Sequence, residues 1–167
     1  MYELDVVHIR LVKERGIFSE EMIDSPQKAT RVLADEMAQY DREVVALLNL
    51  TTSNQVINVN IVSMGTINAS LITPREVFKS SILSNAASIM LYHNHPSGRL
   101  VPSKEDLAMT DLLYQCGQLM GILLMDHLIV AGRSGRVYSM KEEGLLDGHA
   151  YETWNRRQQI KRKEEQL

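Results

Sequence analysis

Apolar positions recur along the chain at two periods, and the switches between them mark out the elements. "LDVVHIRLVK" (4–13) alternates in part and is β-branched, which predicts a strand. In "DSPQKATRVLADEMAQYD", Asp24 or Ser25 can cap and Pro26 suits the first helical turn. Ala29, Val32, Leu33, Met37 and Tyr40 then recur at helical intervals, which predicts a helix over 26–40. "EVVALLNL" (43–50) is a short unbroken apolar run of the kind that fills a central strand. "QVINVNIVS" (55–63) alternates at period two, and the intervening "TTSN" predicts a hairpin. "TINASLI" (66–72) reads as a further short strand.

Thr73 and Pro74 open a helix over 73–87 as cap and first helical residue. "SIMLYH" (88–93) predicts a buried strand, and 102–121 a strongly patterned helix ending near a glycine. A second buried strand follows over 122–132, with "GRVYSM" as its hairpin partner. Strands and helices interleave while several neighbouring strands are hairpin-linked. The fold class this predicts is α/β in the broad sense (α+β): one mixed β-sheet flanked by helices in a single domain. It divides into an N-terminal strand and connection (1–25), the main body (26–146) and a charged C-terminal helix or tail (147–167).

Composition narrows the function classes. At 167 residues the chain can bury a real core without staples. The single cysteine, Cys116, sits at helical spacing among apolar neighbours and reads as a small buried hydrophobe. One cysteine fits a reducing compartment. With no apolar run of membrane-spanning length and no signal-like N-terminus, the expectation is a cytoplasmic protein with no membrane partner. The net charge is −3, which does not advertise nucleic-acid binding. The charge is uneven, however: residues 151–167 hold five Lys/Arg against three Glu, so the rest carries −5. That tail predicts a solvated helix, with a weak nucleic-acid contact as its alternative use.

The candidate chemistry lies in "LYHNHPSG" (91–98). Residues two apart on a strand point to the same side, so His93 and His95 project together while Asn94 points away. Two imidazoles converging from a stiff element are ready zinc ligands. Asp106, in the first turn of the next helix, can turn its carboxylate back toward the strand end. Two His and one carboxylate with a fourth position open is a catalytic zinc arrangement. Ser103 and Asp106 also have capping-box spacing, and spacing alone does not separate cap from ligand. Ser103 could equally donate to a developing oxyanion. A metal-activated water needs a base, and Glu43, opening the buried run, is the candidate. Glu76 competes, but in a helix's first turn the dipole accounts for it.

These residues resemble the JAMM motif of JAB/MPN metalloproteases: Glu, then His-x-His, then ten residues to Asp, with Ser three before it. The wording "GTINASLITPREVFKSSILSNAASIMLYHNHPSG … PSKEDLAMT … MDHLIV" is similar to the bacterial RadC-type branch, over roughly residues 26–146. The resemblance implies a JAB/MPN (cytidine deaminase-like) architecture. It implies His93, His95 and Asp106 as ligands of one zinc ion, Ser103 as the oxyanion-holding serine and Glu43 as the catalytic glutamate. The implied activity is hydrolysis of a peptide or isopeptide bond in a peptide or protein substrate. The family also carries a DNA-associated reading, tied to repair or mobile elements, in which the chain would bind nucleic acid without proteolysis. A metal-dependent nuclease is a third reading, for which Arg75 and Arg99 are the available phosphate contacts. Longer RadC proteins carry an N-terminal helix-hairpin-helix-like region, so this chain resembles a short stand-alone version. Asp126 and His127, in "MDHLIV", are expected to form a buried polar pair supporting the sheet.

Overall fold

The computed structural model describes residues 3–65 and 72–165. Nine elements follow in the order α1 (Pro26–Met37), β1 (Val44–Leu50), β2 (Val56–Met64), α2 (Pro74–Leu83), β3 (Ser88–His95), α3 (Lys104–Met120), β4 (Leu123–Ala131), β5 (Val137–Ser139) and α4 (Ala150–Glu164). The five strands form one mixed sheet in the order β2-β1-β3-β4-β5. β1 runs antiparallel to both β2 and β3, β3 and β4 are parallel across α3, and β5 returns antiparallel on β4. This is the α+β sheet-and-helix architecture that the sequence pattern predicts.

The sheet is covered on both faces, which is why β1 reads as an unbroken apolar run. Val44, Ala46, Leu48 and Leu50 pack toward α1 with Leu33, Met37, Tyr92, Leu128 and Val130. Val45 and Leu47 pack on the other face with Val77 and Phe78 of α2 and Leu113 of α3. The same alternation sets His93 and His127 on the α3 face and Asp126 on the α1 face. Ser25 caps α1 by accepting the Lys28 N–H, and α1 closes at Ala38. α2 starts on the expected Thr73 cap but ends at Leu83, because Ser84 closes it and Asn85 takes a left-handed φ of 54°. α3 ends where Gly121 adopts φ 68°, a conformation that glycine enters without steric cost.

One expectation fails outright. Residues 4–13 form no strand; Leu4, Val6, Val7, Ile9 and Val12 stand exposed. The alternating pattern gives the segment strand propensity, but a strand exists only where a neighbour supplies its hydrogen bonds, and none of the described strands does so. The strand expected over 66–72 falls on residues outside those described, Ile72 apart.

The C-terminal helix is anchored at its start and solvated beyond. Asp111 of α3 accepts the N–H groups of Ala150 and Tyr151, supplying the cap that His149 does not. Tyr151 and Trp154 pack beside Leu107 and Met140, while the basic stretch from Lys161 to Lys163 is exposed. Among the described residues no helix is long and apolar enough to cross a membrane.

Candidate metal centre

β3 continues through Asn94 to His95, two residues further than the sequence pattern marks. Both histidines therefore sit on regular extended backbone beside β4, and His93 is paired with β1 on its other side as well. Their rings converge on the first turn of α3. His93 Nε2 lies 3.1 Å from Asp106 Oδ1 and His95 Nε2 lies 3.4 Å from Asp106 Oδ2. The two Nε2 atoms are 2.9 Å apart. One ligand atom from each of His93, His95 and Asp106 falls within 4.8 Å of the others, so the cluster can hold a metal ion.

Asp106 is cap and cluster member together. Its Oδ2 accepts the Ser103 N–H at 2.7 Å while its own N–H donates to Ser103 Oγ at 3.1 Å, a complete capping box. The same carboxylate faces both imidazoles, so the two uses that spacing leaves open coexist. Ser103 is exposed, and its Oγ accepts from Asp106, which leaves the hydroxyl proton free to donate.

Asn94 points to the opposite face and latches the start of β1. Its Oδ1 accepts the Val44 N–H at 2.6 Å and its Nδ2 donates to the Arg42 carbonyl at 2.9 Å. Those two groups flank Glu43. The β1–β3 register pairs Val45 with His93, and continuing it by two residues sets Glu43 against His95. Glu43 is half-buried beside the cluster, and its charge reaches His95.

Electrostatics follow from this crowding. Burial alone would raise the Asp106 carboxyl, but hydrogen bonds with His93 and His95 outweigh it and hold it well below the usual carboxylate range. Burial works to lower His95, yet Asp106, the Arg99 carbonyl and the Glu43 charge overcome it and raise the imidazole. His127, wholly buried, is pushed down to about 3 by burial first and by the charge of His93 second, so it is neutral.

Asp126 and His127 are both buried polar residues, as expected, but their side chains point to opposite faces of the sheet. Asp126 accepts from Ser139 Oγ at 2.6 Å and from the backbone N–H groups of His127 and Lys141, tying β4 to the segment after β5. His127 Nε2 instead lies 2.8 Å from His93 Nδ1, and its Nδ1 lies 2.7 Å from Thr110 Oγ1. Sequence reasoning missed Thr110 entirely; its signal is its place four residues after Asp106, one helical turn on the same face. Arg75 is exposed on α2, and Arg99, also exposed, lends the cluster its backbone carbonyl, which accepts from His95 Nδ1 at 2.7 Å. Glu76 pairs with Lys79 at 2.9 Å on the surface, and Cys116 is half-buried in the core beside α2.

The chain matches a family model described as the RadC-like JAB domain over residues 23–145. It is 43% identical over 129 residues to a UPF0758 protein of Clostridium acetobutylicum, covering 77% of this chain and 56% of that one. It is 45% identical over 128 residues to one of Moorella thermoacetica, covering 77% and 55%. With one of the archaeon Methanosarcina mazei it shares 40% over 124 residues, covering 74% and 53%. The chain thus spans about half the length of the curated relatives it matches.

Proposed function

The chain belongs to the RadC-like JAB domain family, and from that membership and the site's chemistry we propose that it is a zinc-dependent hydrolase of the JAMM type, cleaving a peptide or isopeptide bond with activated water. The observation that carries the reading is the donor set. Two imidazole nitrogens and a carboxylate, held on a strand end and a helix start, converge within 4.8 Å. The Arg99 carbonyl accepts a hydrogen bond from His95 Nδ1–H, so Nε2 is the His95 nitrogen left to a metal. Two imidazole nitrogens 2.9 Å apart beside a carboxylate call for a cation or a proton between them. The donor types fit zinc, which takes imidazole and carboxylate ligands and leaves a position open in catalytic sites.

When bound, the ion would acidify a water to a pKa of about 7 and polarise the scissile carbonyl. In this reading His93, His95 and Asp106 hold it. Glu43 takes the proton of the attacking water on its carboxylate and delivers it to the departing amine nitrogen. Ser103 donates its free hydroxyl proton to the carbonyl oxygen as negative charge builds there. The substrate is a peptide or a protein carrying an isopeptide linkage, and the one cysteine fits a reducing, cytoplasmic setting.

The test offers zinc-loaded protein a panel of isopeptide, peptide and nucleic-acid substrates beside Glu43→Gln. The parent should retain about one zinc per chain and hydrolyse an amide-type bond. Glu43→Gln should keep the metal and lose turnover by at least about 100-fold. Protein that holds no zinc after re-supply, or a Glu43→Gln variant as active as the parent, overturns the proposal.

A further inference from the structure

Thr110 on α3 and His127 on β4 are fully buried and have no part in the chemistry just described. They form a chain of hydrogen bonds whose direction is fixed at one end. The Asp106 carbonyl can only accept, so the Thr110 hydroxyl spends its one proton there, at 2.7 Å. Thr110 Oγ1 is then an acceptor at its other contact, and His127 Nδ1 must bring the proton across 2.7 Å. A neutral imidazole carries a single N–H, so His127 Nε2 is bare. It accepts from His93 Nδ1–H at 2.8 Å. With its Nδ1–H so engaged, His93 keeps Nε2, the atom that faces Asp106 and His95, as the nitrogen whose lone pair a metal can take. Reversing the chain would set the Thr110 oxygen and the Asp106 carbonyl oxygen 2.7 Å apart with no proton between them, lone pair against lone pair.

We infer that Thr110 and His127 are positioning residues that lock His93 in its Nδ1–H tautomer, so that Nε2 is the nitrogen offered to a metal. The chain closes on itself. It starts at the backbone carbonyl of Asp106 and ends at the imidazole nitrogen that the Asp106 carboxylate faces. Helix α3 thus sets the carboxylate and, through two side chains, the tautomer of its partner on β3. Partners behind a ligating histidine orient the ring and raise its basicity, and removing one commonly weakens metal binding 10- to 100-fold. The tautomer follows from hydrogen-bond direction alone; what it serves rests on the metal reading above.

Two measurements test the inference. Long-range proton–nitrogen correlation spectra of metal-free, histidine-labelled parent at pH 8 should show His93 and His127 both protonated on Nδ1. Zinc affinity, read by chelator competition, should fall about 10- to 100-fold in Thr110→Val and return to within about threefold of the parent in Thr110→Ser, which restores the hydroxyl. A His93 without a proton on Nδ1, or a folded Thr110→Val variant that binds zinc as tightly as the parent, overturns the inference. If Thr110→Val does not fold, the spectra of the parent and the affinity of Thr110→Ser still decide it. A parent that binds no zinc defeats the proposed function, while the spectra still decide the tautomer.

Discussion

His127 shows how much one side chain's environment settles. Burial pushes it down to about 3, whereas in the unfolded chain it titrates near 6.5. Between those values the unfolded chain takes up a proton that the folded protein refuses, so this residue's contribution to stability falls as pH drops through 6.5 toward 3. His95, whose pKa is raised, works in the opposite sense: the folded protein holds its proton more firmly, so acid favours it. Comparison with His127→Gln separates the two. In metal-free protein, the parent's stability relative to that variant should shrink by about 2 kcal/mol between pH 7 and pH 5, followed by denaturant unfolding at each pH. A difference that stays constant with pH would mean that His127 is not held neutral. None of this was legible in the sequence. His93, His95 and Asp106 were legible because a strand's two-residue period and a helix's first turn dictate where such residues point. The partners of His127 are 17 and 34 residues away and meet it only through the packing of α3 on the sheet.

The end of β3 is held at its backbone as well as by side chains. Gly132, just beyond β4, donates its N–H to the His95 carbonyl at 2.9 Å. A Cβ at that position would lie 2.8 Å from the Pro96 carbonyl oxygen and 3.0 Å from that of His95. These are backbone atoms with little freedom to retreat, so any side chain at 132 must push the two strand ends apart. Gly132→Ala should therefore destabilise the fold by about 1–3 kcal/mol, the range for overpacking. It should also weaken zinc binding by displacing His95, and chelator competition beside thermal unfolding reads both. Unchanged stability and affinity would show that the strand ends are not clamped there. Elements whose pattern carries its own explanation were readable, β1 above all: an apolar run of that length needs cover on both faces and finds it. Ends were less readable because local conformations decide them. α2 stops short where Asn85 turns left-handed, and β3 runs on through His95 because β4 continues beside it.

At the scale of the molecule, the cluster lies where the end of β3 and the starts of β1 and α3 converge, within the family-matched region 23–145. The N-terminal segment stands apart from that assembly. Its first attachments to the body are the Arg15–Glu36 ion pair at 2.7 Å and the packing of Ile17 and Ile23 against the α1 face. Before Arg15 the side chains of Leu4, Val6, Val7, Ile9 and Val12 are open to solvent, 74–92% exposed. Exposed apolar residues add nothing to the hydrophobic stabilisation of the fold, since no area is removed from water. Removing residues 1–13 should therefore leave the melting temperature within about 2 °C of the parent, because a shift of several degrees would need about 1 kcal/mol. It should leave zinc affinity unchanged and reduce self-association on light scattering, because exposed apolar side chains invite it. The period-two pattern of the same residues makes the opposite case, that they complete a sheet. A loss of more than about 5 °C, or of metal binding, would decide for the pattern: the segment would then pair with a strand edge in solution and belong to the folded unit.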